Sequence, residues 1–409
     1  MTPMSTPRND ELLKRLRRVP AAAPLLEHLG TIPGVHLVGG AVRDLLLGAE
    51  PGDLDLVFEG DPAVLVERLG GSARTYDRFG TATVELEGFT YDLARARRES
   101  YSRPGALPDV QPAGLEEDLR RRDFTVNAIA LAISGAAPGT LTAGHPALED
   151  LDAKCLRVLH DASFTDDPTR LLRLARYAAR LRFSIEPQTL ALARQALGAG
   201  ALRTVSGARI GSELRLLAAE EDAIGGFERL RELGLDAAIH RDFGIDDRET
   251  ARRSMKLLPE DGRRDELVLA LAVRRIAAAE LAELLDELAF EAHPRERILA
   301  AATRSELIAS RLAGAERPSE IADALAGAST ELVALGGALG PEPQARRWLD
   351  SLRHVALEID GADLLRAGVA AGPAIGAGLR AALAAKLDGR TSGREDELVE
   401  ALRVARASG

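Results

Sequence analysis

The chain has one cysteine in 409 residues, Cys155, so it can form neither an internal disulfide nor a multi-cysteine zinc site. Its thiol sits between Lys154 and Leu156 at the start of an apolar strand, where a buried structural role outweighs a nucleophilic one. Apolar stretches are broken by Arg or Asp well before the roughly 18 residues of a membrane span, and the N-terminus lacks a charged-then-apolar pattern. No membrane span and no export signal are expected, and a cytoplasmic location follows by default. Positive charge is in deficit, 53 Lys and Arg against 63 Asp and Glu for a formal net charge of −10, which argues against indiscriminate coating of nucleic acid. The histidines are scattered singly and make no helical metal pair, so the dipeptide His160-Asp161 does not announce a metal phosphohydrolase. No fixed-period repeat is present.

What is present suffices for a large folded protein: the length allows two to four domains, and 46% hydrophobic residues supply their cores. Residues 1 to about 30 read as a helical lead-in. Strands follow at Val35–Val38, Leu54–Phe58, Thr81–Leu86 and Phe89–Ala94, with an amphipathic helix at Ala63–Leu69 between them, which makes a mixed α/β unit. From Pro168 onward strand signals nearly vanish, and Ala, Leu, Arg and Glu fill helical patterns punctuated by Gly and Pro.

Chemistry concentrates in the first half. Gly39-Gly40 ends the first strand where a side chain would block a ligand from the backbone, so free N–H groups can face phosphate oxygens. Asp53-Leu-Asp55 opens the second strand with two carboxylates on one face. Such a pair repels itself and suits a hard divalent cation, which can neutralise a triphosphate and activate a hydroxyl. Asp92, on a later strand, is the third acidic member, as general base or as metal ligand. Of the adjacent Arg120, Arg121 and Arg122, one guanidinium can meet the triphosphate while the others turn to solvent or to Asp123. In Asp166-Asp167-Pro168 a carboxylate caps a helix, and Asp167, Arg170 and Arg173 fall three residues apart on one face. A carboxylate accepting from an exocyclic amino group and a guanidinium donating to a ring nitrogen would admit cytosine and adenine and reject uracil and guanine. Ser206 caps a further helix, whose Arg209 supports its neighbour or touches a primer.

Gly39-Gly40-Ala-Val-Arg43-Asp44, Asp53-Leu-Asp55, Asp92-Leu-Ala, Arg121-Arg122-Asp123-Phe-Thr-Val-Asn127, Asp166-Asp167-Pro-Thr-Arg170-Leu-Leu-Arg173 and Val205-Ser-Gly-Ala-Arg209 stand in one order. Together they resemble the class II tRNA nucleotidyltransferase and bacterial poly(A) polymerase family over residues 35 to about 216. A weaker likeness returns in Ile359–Gly368 and Gly372–Gly376. The resemblance implies an α+β protein: a nucleotidyltransferase head with a polymerase-β-like mixed sheet (1–145), then an all-helical neck (146–218), body (219–310) and tail (311–409). The head would catalyse, the neck would select the base and the tail would bind tRNA. It also implies that Gly39, Gly40, Arg43, Asp44, Arg122, Asp123, Asn127, Asp167, Arg170, Arg173 and Arg176 surround ATP or CTP. Asp53 and Asp55 would hold Mg²⁺, and Asp92 would complete the acidic set.

The implied activity is template-independent addition of C and A to the tRNA 3′ end with release of pyrophosphate. The alternatives are A-adding, CC-adding or poly(A)-adding enzymes, or an inactive RNA-binding relative. No protein partner is inferable. Two segments depart from the family pattern or mark it: Thr142–Ala147 replaces an Asp-Pro-x-Gly-Gly-like turn, and Glu99–Asp109 occupies the place of the loop that helps the switch from C to A.

Overall fold

The computed structural model describes residues 6–76 and 80–407; residues 1–5 of the expected lead-in and the last two residues of the expected tail lie outside them. The chain divides into two compact units, Met1–Ser206 with Glu232–Ala238, and Gly207–Arg231 with Ile239–Gly409.

The first unit is built on a seven-stranded mixed sheet. In chain order its strands are β1 (Val35–Val38), β2 (Leu54–Phe58), β3 (Ser72–Tyr76), β4 (Thr81–Leu86) and β5 (Phe89–Arg95), then β8 (Ile129–Ala132) and β9 (Leu141–Ala143). β6 (Arg97–Ser100) and β7 (Asp109–Pro112) form a separate antiparallel ribbon. The spatial order is β3-β4-β5-β2-β1-β8-β9, and only the central β2–β5 pair is parallel. The strands expected from sequence are all present; β3, β6, β7, β8 and β9 carry no clean apolar alternation and go unread in the sequence.

Period-two alternation gives the sheet two unlike faces. Leu54, Leu56, Val84, Tyr91 and Leu93 are buried to one side with Leu65 and Leu69 of the helix Pro62–Leu69. Asp61 caps that helix by accepting from the Ala63 N–H, and Pro62 stands in its first turn. The Tyr91 hydroxyl donates to the Ala21 carbonyl at 2.8 Å, which ties the sheet to the lead-in helix Ala22–Leu29. Part of the opposite face is a second small core, where Val38, Val57, Ala128 and Ala130 pack with Leu115 and Leu119 of the helix Leu115–Arg120. The remainder of that face carries the Asp55 and Asp92 carboxylates.

Thr142–Ala147 closes the sheet: Leu141–Ala143 is its edge strand, and the Ala147 N–H returns to the Gly144 carbonyl at 2.7 Å as the helix Ala147–Asp152 begins. Cys155 opens a two-residue strand paired in parallel with Ser184–Ile185, and it is half-buried rather than buried as the sequence suggests. The short strand Ser184–Ile185 is a small exception to the helical character expected after Pro168.

The second unit is helical throughout its described residues. Its helix Thr330–Ala338 is buried from Glu331 to Ala338 and apolar there except for Glu331, with Gly337 so close to Ala345 that an added Cβ would lie 2.3 Å from the alanine methyl. Towards the C-terminus, Ile359, Leu364, Ala382, Ala401 and Ala405 form a separate cluster. No helix among the described residues is long and apolar enough to cross a membrane.

Leu119 is fully buried at the centre of the small core beneath the cleft. Leu119→Ala is expected to lower the unfolding free energy by about 2–5 kcal/mol, read from the midpoint of urea denaturation; a midpoint unchanged from the parent would contradict this packing.

Candidate active site

Parallel pairing of β2 with β5 places Asp55 directly opposite Asp92, with their Cα atoms about 4.8 Å apart by strand spacing. Asp92 is held in place by the Thr83 hydroxyl, which donates to Oδ1 at 2.7 Å. The Asp55 carboxyl is pushed above its ordinary value, first by loss of solvation and next by the negative charge of Asp92; Arg122 opposes this and Asp53 adds to it. Asp53 stands exposed just ahead of β2. Among the described residues no group of three or more His, Cys, Asp or Glu could hold a metal ion. The protein therefore offers a crowded pair of oxygen donors, and that donor set fits a hard divalent cation that keeps water and phosphate oxygens as its other ligands.

Two clefts meet beside these carboxylates. The first, about 350 Å³, is lined by Asp55, Asp92, Tyr76, Thr81, Thr83 and Arg122 among others. The second, about 480 Å³, is lined by Arg97, Glu99, Tyr101, Arg121, Arg122, Asp123, Asp167, Arg170 and Arg173, with Thr81 and Pro108. Thr81 and Arg122 belong to both, so the cleft of the acidic pair and the cleft of the helix face adjoin at these two residues.

The second cleft owes its shape to buried ion pairs. Asp118, fully buried on the helix Leu115–Arg120, accepts from Arg121 at 2.7 and 3.0 Å and from Arg122 at 3.0 Å. Burial raises its pKa, but the Arg122 and Arg121 charges and their hydrogen bonds more than offset that and hold it below the usual value. Glu99, on β6, takes Arg121 at 2.7 Å, Arg97 at 3.0 Å and the Tyr101 hydroxyl at 2.9 Å. Arg122 Nε is buried without a hydrogen-bond partner among the described residues, a donor that a phosphate oxygen would satisfy. The pairing expected between Asp123 and a neighbouring arginine is replaced by a longer-range one: Asp123 meets Arg173 at 3.2 Å, and Arg121 and Arg122 turn to Asp118. Sequence reading passed over Asp118 and Glu99. Asp118 was available as the i−3 and i−4 partner of Arg121 and Arg122, whereas Glu99 is brought in only by the fold.

On the helix Thr169–Leu181, Asp167 is the capping carboxylate: its Oδ1 accepts from the Thr169 N–H at 3.1 Å and from the Thr169 hydroxyl at 2.6 Å. Arg170 is fixed by donating to the Ser163 hydroxyl and to the Arg121 carbonyl, both at 2.7 Å. Asp167, Arg170 and Arg173 share one cleft wall, as their spacing suggests. Arg176 is buried with its guanidinium 4.9 Å from the Tyr177 ring centroid and lines neither cleft.

Gly39, Gly40, Arg43, Asp44 and Asn127 form a frame behind the clefts. Gly39 adopts φ +67°, and a Cβ there would lie 3.0 Å from Arg122 Nη1, so glycine is needed for conformation and for approach. Gly40 begins the helix Gly40–Leu47. Arg43 is fully buried; it donates to Asn127 Oδ1 at 2.5 Å and to Asp44 at 2.8–2.9 Å. Asn127 in turn donates to Asp123 Oδ1 at 3.0 Å, and Asp44 lies 3.6 Å from Arg180.

The Glu99–Asp109 segment is the β6–β7 ribbon with its connecting loop. Gly105, at φ +69°, donates its N–H to the Thr165 carbonyl at 3.2 Å, and a Cβ there would strike Thr204 Oγ1 at 2.3 Å.

With this geometry in place, comparison with known proteins places the fold. Residues 35–157 match the poly A polymerase head domain. This part of the chain is thus similar to the head domain of poly A polymerases. It is 42% identical over 236 residues to an A-adding tRNA nucleotidyltransferase of Halalkalibacterium halodurans, covering 56% of this chain and 53% of that protein. It is 40% identical over 224 residues to a CC-adding tRNA nucleotidyltransferase of Deinococcus radiodurans, covering 53% of this chain and 59% of the relative. The chain thus matches little more than half the length of these relatives. A solved CCA-adding enzyme in its second apo form superposes with a TM-score of 0.78 at 29% identity, covering 96% of this chain and 98% of the other. The mixed-sheet head followed by helices is the fold of that enzyme.

Because Asp118 titrates lower when folded than the roughly 3.9 of a free aspartate, the stability it supplies is present above about pH 4 and is lost as pH falls through its folded value. Asp118→Asn is expected to cost roughly 3 kcal/mol at pH 7, and the gap to the parent should narrow below pH 4. Urea unfolding across pH 3–7 checks this; a gap that stays constant to pH 3 would contradict the pairing.

Proposed function

We propose that this protein is a CCA-adding enzyme. It transfers nucleotides from CTP and then ATP to the 3′ end of tRNA and releases pyrophosphate, with residues 1–145 as catalytic head, 146–218 as base-selecting neck, 219–310 as body and 311–409 as tRNA-binding tail. The observation that carries the reading is the junction of an acidic cleft with a helix-lined cationic one at Thr81 and Arg122. Nucleotidyl transfer needs a hydroxyl, an α-phosphate and a recognised base within one space, and these clefts supply a wall for each.

Arg122, with its unmatched buried Nε, would take the triphosphate together with the neighbouring guanidiniums of the cleft. The Asp167 carboxylate would accept from the exocyclic amino group of cytosine or adenine, and Arg170 or Arg173 would donate to the ring nitrogen beside it. Asp92 would orient the primer 3′-hydroxyl and receive its proton as the oxygen attacks the α-phosphate and pyrophosphate leaves. Asp53 and Asp55 would hold Mg²⁺, which supplies charge neutralisation on the phosphates and lowers the pKa of a bound hydroxyl. Arg43, Asp44, Asn127 and Arg176 would act from behind the cleft, by holding the Gly39 turn and the neck helix in place. The cytoplasm, where tRNA and nucleoside triphosphates meet, is the proposed location.

A second reading, A addition alone, is favoured by the 42% identity to an A-adding enzyme. Incubation with tRNAs ending before C, after CC and after CCA separates the two. Addition of C, C and A in turn is expected; A added only to the CC end would select the second reading, and continued A addition to any RNA would point to poly(A) synthesis.

Asp53→Ala with Asp55→Ala is expected to reduce labelled CTP incorporation by at least about a thousandfold, on the scale of the several kcal/mol a metal site contributes. Gel-shift affinity for tRNA should persist. Residual incorporation near the parent's rate would remove the carboxylates from the reaction, and a parent chain that binds tRNA without incorporating nucleotide would be an inactive relative.

A further inference from the structure

One aromatic side chain lies in the acidic cleft and has no part in the nucleotide-binding scheme. Tyr76 is 52% exposed, and among the described residues every other aromatic is buried or half-buried. It ends β3, a strand exposed along its whole length. Strand pairing fixes where it points. Arg74, Thr83, Asp92 and Asp55 occupy one row across the sheet, and Tyr76, Thr81, Ala94 and Val57 occupy the next. Both rows share a face by the two-residue period. With strands about 4.8 Å apart, the Tyr76 backbone is two strands, roughly 10 Å, to the side of Asp92, close enough for the ring to line the same cleft of about 350 Å³.

The two clefts differ in chemistry. The one beside the helix Thr169–Leu181 presents Arg97, Arg121, Arg170 and Arg173. The one beside Asp55 has Arg122 as its one lining arginine and presents Tyr76, Thr81, Val57 and Ala94 beside its carboxylates, an uncharged stretch suited to the face of a nucleobase. We propose that Tyr76 is a primer-binding residue on which the last base of the RNA 3′ strand stacks, so that its ribose hydroxyl lies over Asp92 while Arg74, two residues back on the same face, sits beside the strand's phosphate. Stacking fits the repeated use of one site with different terminal bases, because every base offers a π-face.

This rests on the nucleotidyltransferase reading, and binding measured without nucleotide tests it separately. Full-length parent, Tyr76→Phe and Tyr76→Ala are titrated with a tRNA transcript bearing its unpaired 3′ end and with one cut back to the paired acceptor stem. Tyr76→Ala is expected to weaken binding of the first about tenfold, the scale of one lost base stack, while leaving the second unchanged; Tyr76→Phe should match the parent on both. Equal affinity of Tyr76→Ala and parent for the tailed tRNA, or an equal loss on both RNAs, overturns the proposal. In turnover the KM for tRNA should rise and the KM for CTP and ATP should stay; the reverse pattern assigns the ring to the incoming base and also overturns it. Thermal unfolding of the variants confirms that the exposed strand end has not disturbed the sheet. If the parent binds both RNAs as expected but adds nothing, the catalytic reading fails and the stacking result still stands.

Discussion

The buried carboxylate of Asp123 joins the sheet to the helix that faces the cleft. One oxygen accepts from the Phe124 N–H at 2.8 Å and from Asn127, and the other meets Arg173 on the helix Thr169–Leu181. Burial by itself would raise its pKa, yet Arg173, Asn127, Arg170 and the Phe124 N–H together hold it low. From Asn127 the chain of contacts runs to Arg43 and Asp44, and from Asp44 back to Arg180 near the end of the same helix. The helix is therefore gripped at two points, about two turns apart. A lone buried charge would be costly, and here each buried carboxylate and guanidinium of the network meets at least one charged or hydrogen-bonding partner, which is how such a network orders a site.

That network explains why several residues of the signature motifs stand behind the cleft. Arg43 and Asn127 are spent on each other, Gly39 is spent on the turn, and the guanidiniums that reach the open space are held by other anchors: Arg121 and Arg122 by Asp118, Arg97 by Glu99, Arg170 by Ser163 and Arg173 by Asp123. Fixed guanidiniums suit phosphate recognition because their donors are ordered before the ligand arrives. The acidic side works in the opposite sense: Asp55 and Asp92 are held against each other by strand pairing, and the Asp55 pKa is raised first by loss of solvation and next by the charge of Asp92. One wall stores order and the other stores repulsion.

Much of this was legible in the residues. Gly39-Gly40, Asp53-x-Asp55 and the Asp167-Arg170-Arg173 spacing are local patterns; the structure brings Asp55 of the second and all three residues of the third to clefts that share Thr81 and Arg122, while Asp53 lines neither. The Asp123–Arg173 pair was misassigned to neighbouring arginines because fifty residues of chain separate the partners and only the fold unites them. β3 went unread because it is short, exposed along its length and without a large aliphatic residue, so no hydrophobic period marks it. Glu99 escaped for a related reason, since its neighbours in the ribbon give no hint that Arg121 will reach it.

The parallel β2–β5 ladder also bears on how this chain can change length. Residues Leu54 to Phe58 are matched one for one with Tyr91 to Arg95. A single residue gained or lost inside either run would swing Asp55 or Asp92 to the apolar side and bring a leucine round in its place. The hairpin strand β4 shares the restriction, because Thr83 must stay opposite Asp92, whereas the turns on either side of the connecting helix do not. Insertions and deletions are thus confined to those turns, where added length leaves both five-residue runs and the strand beside them in register.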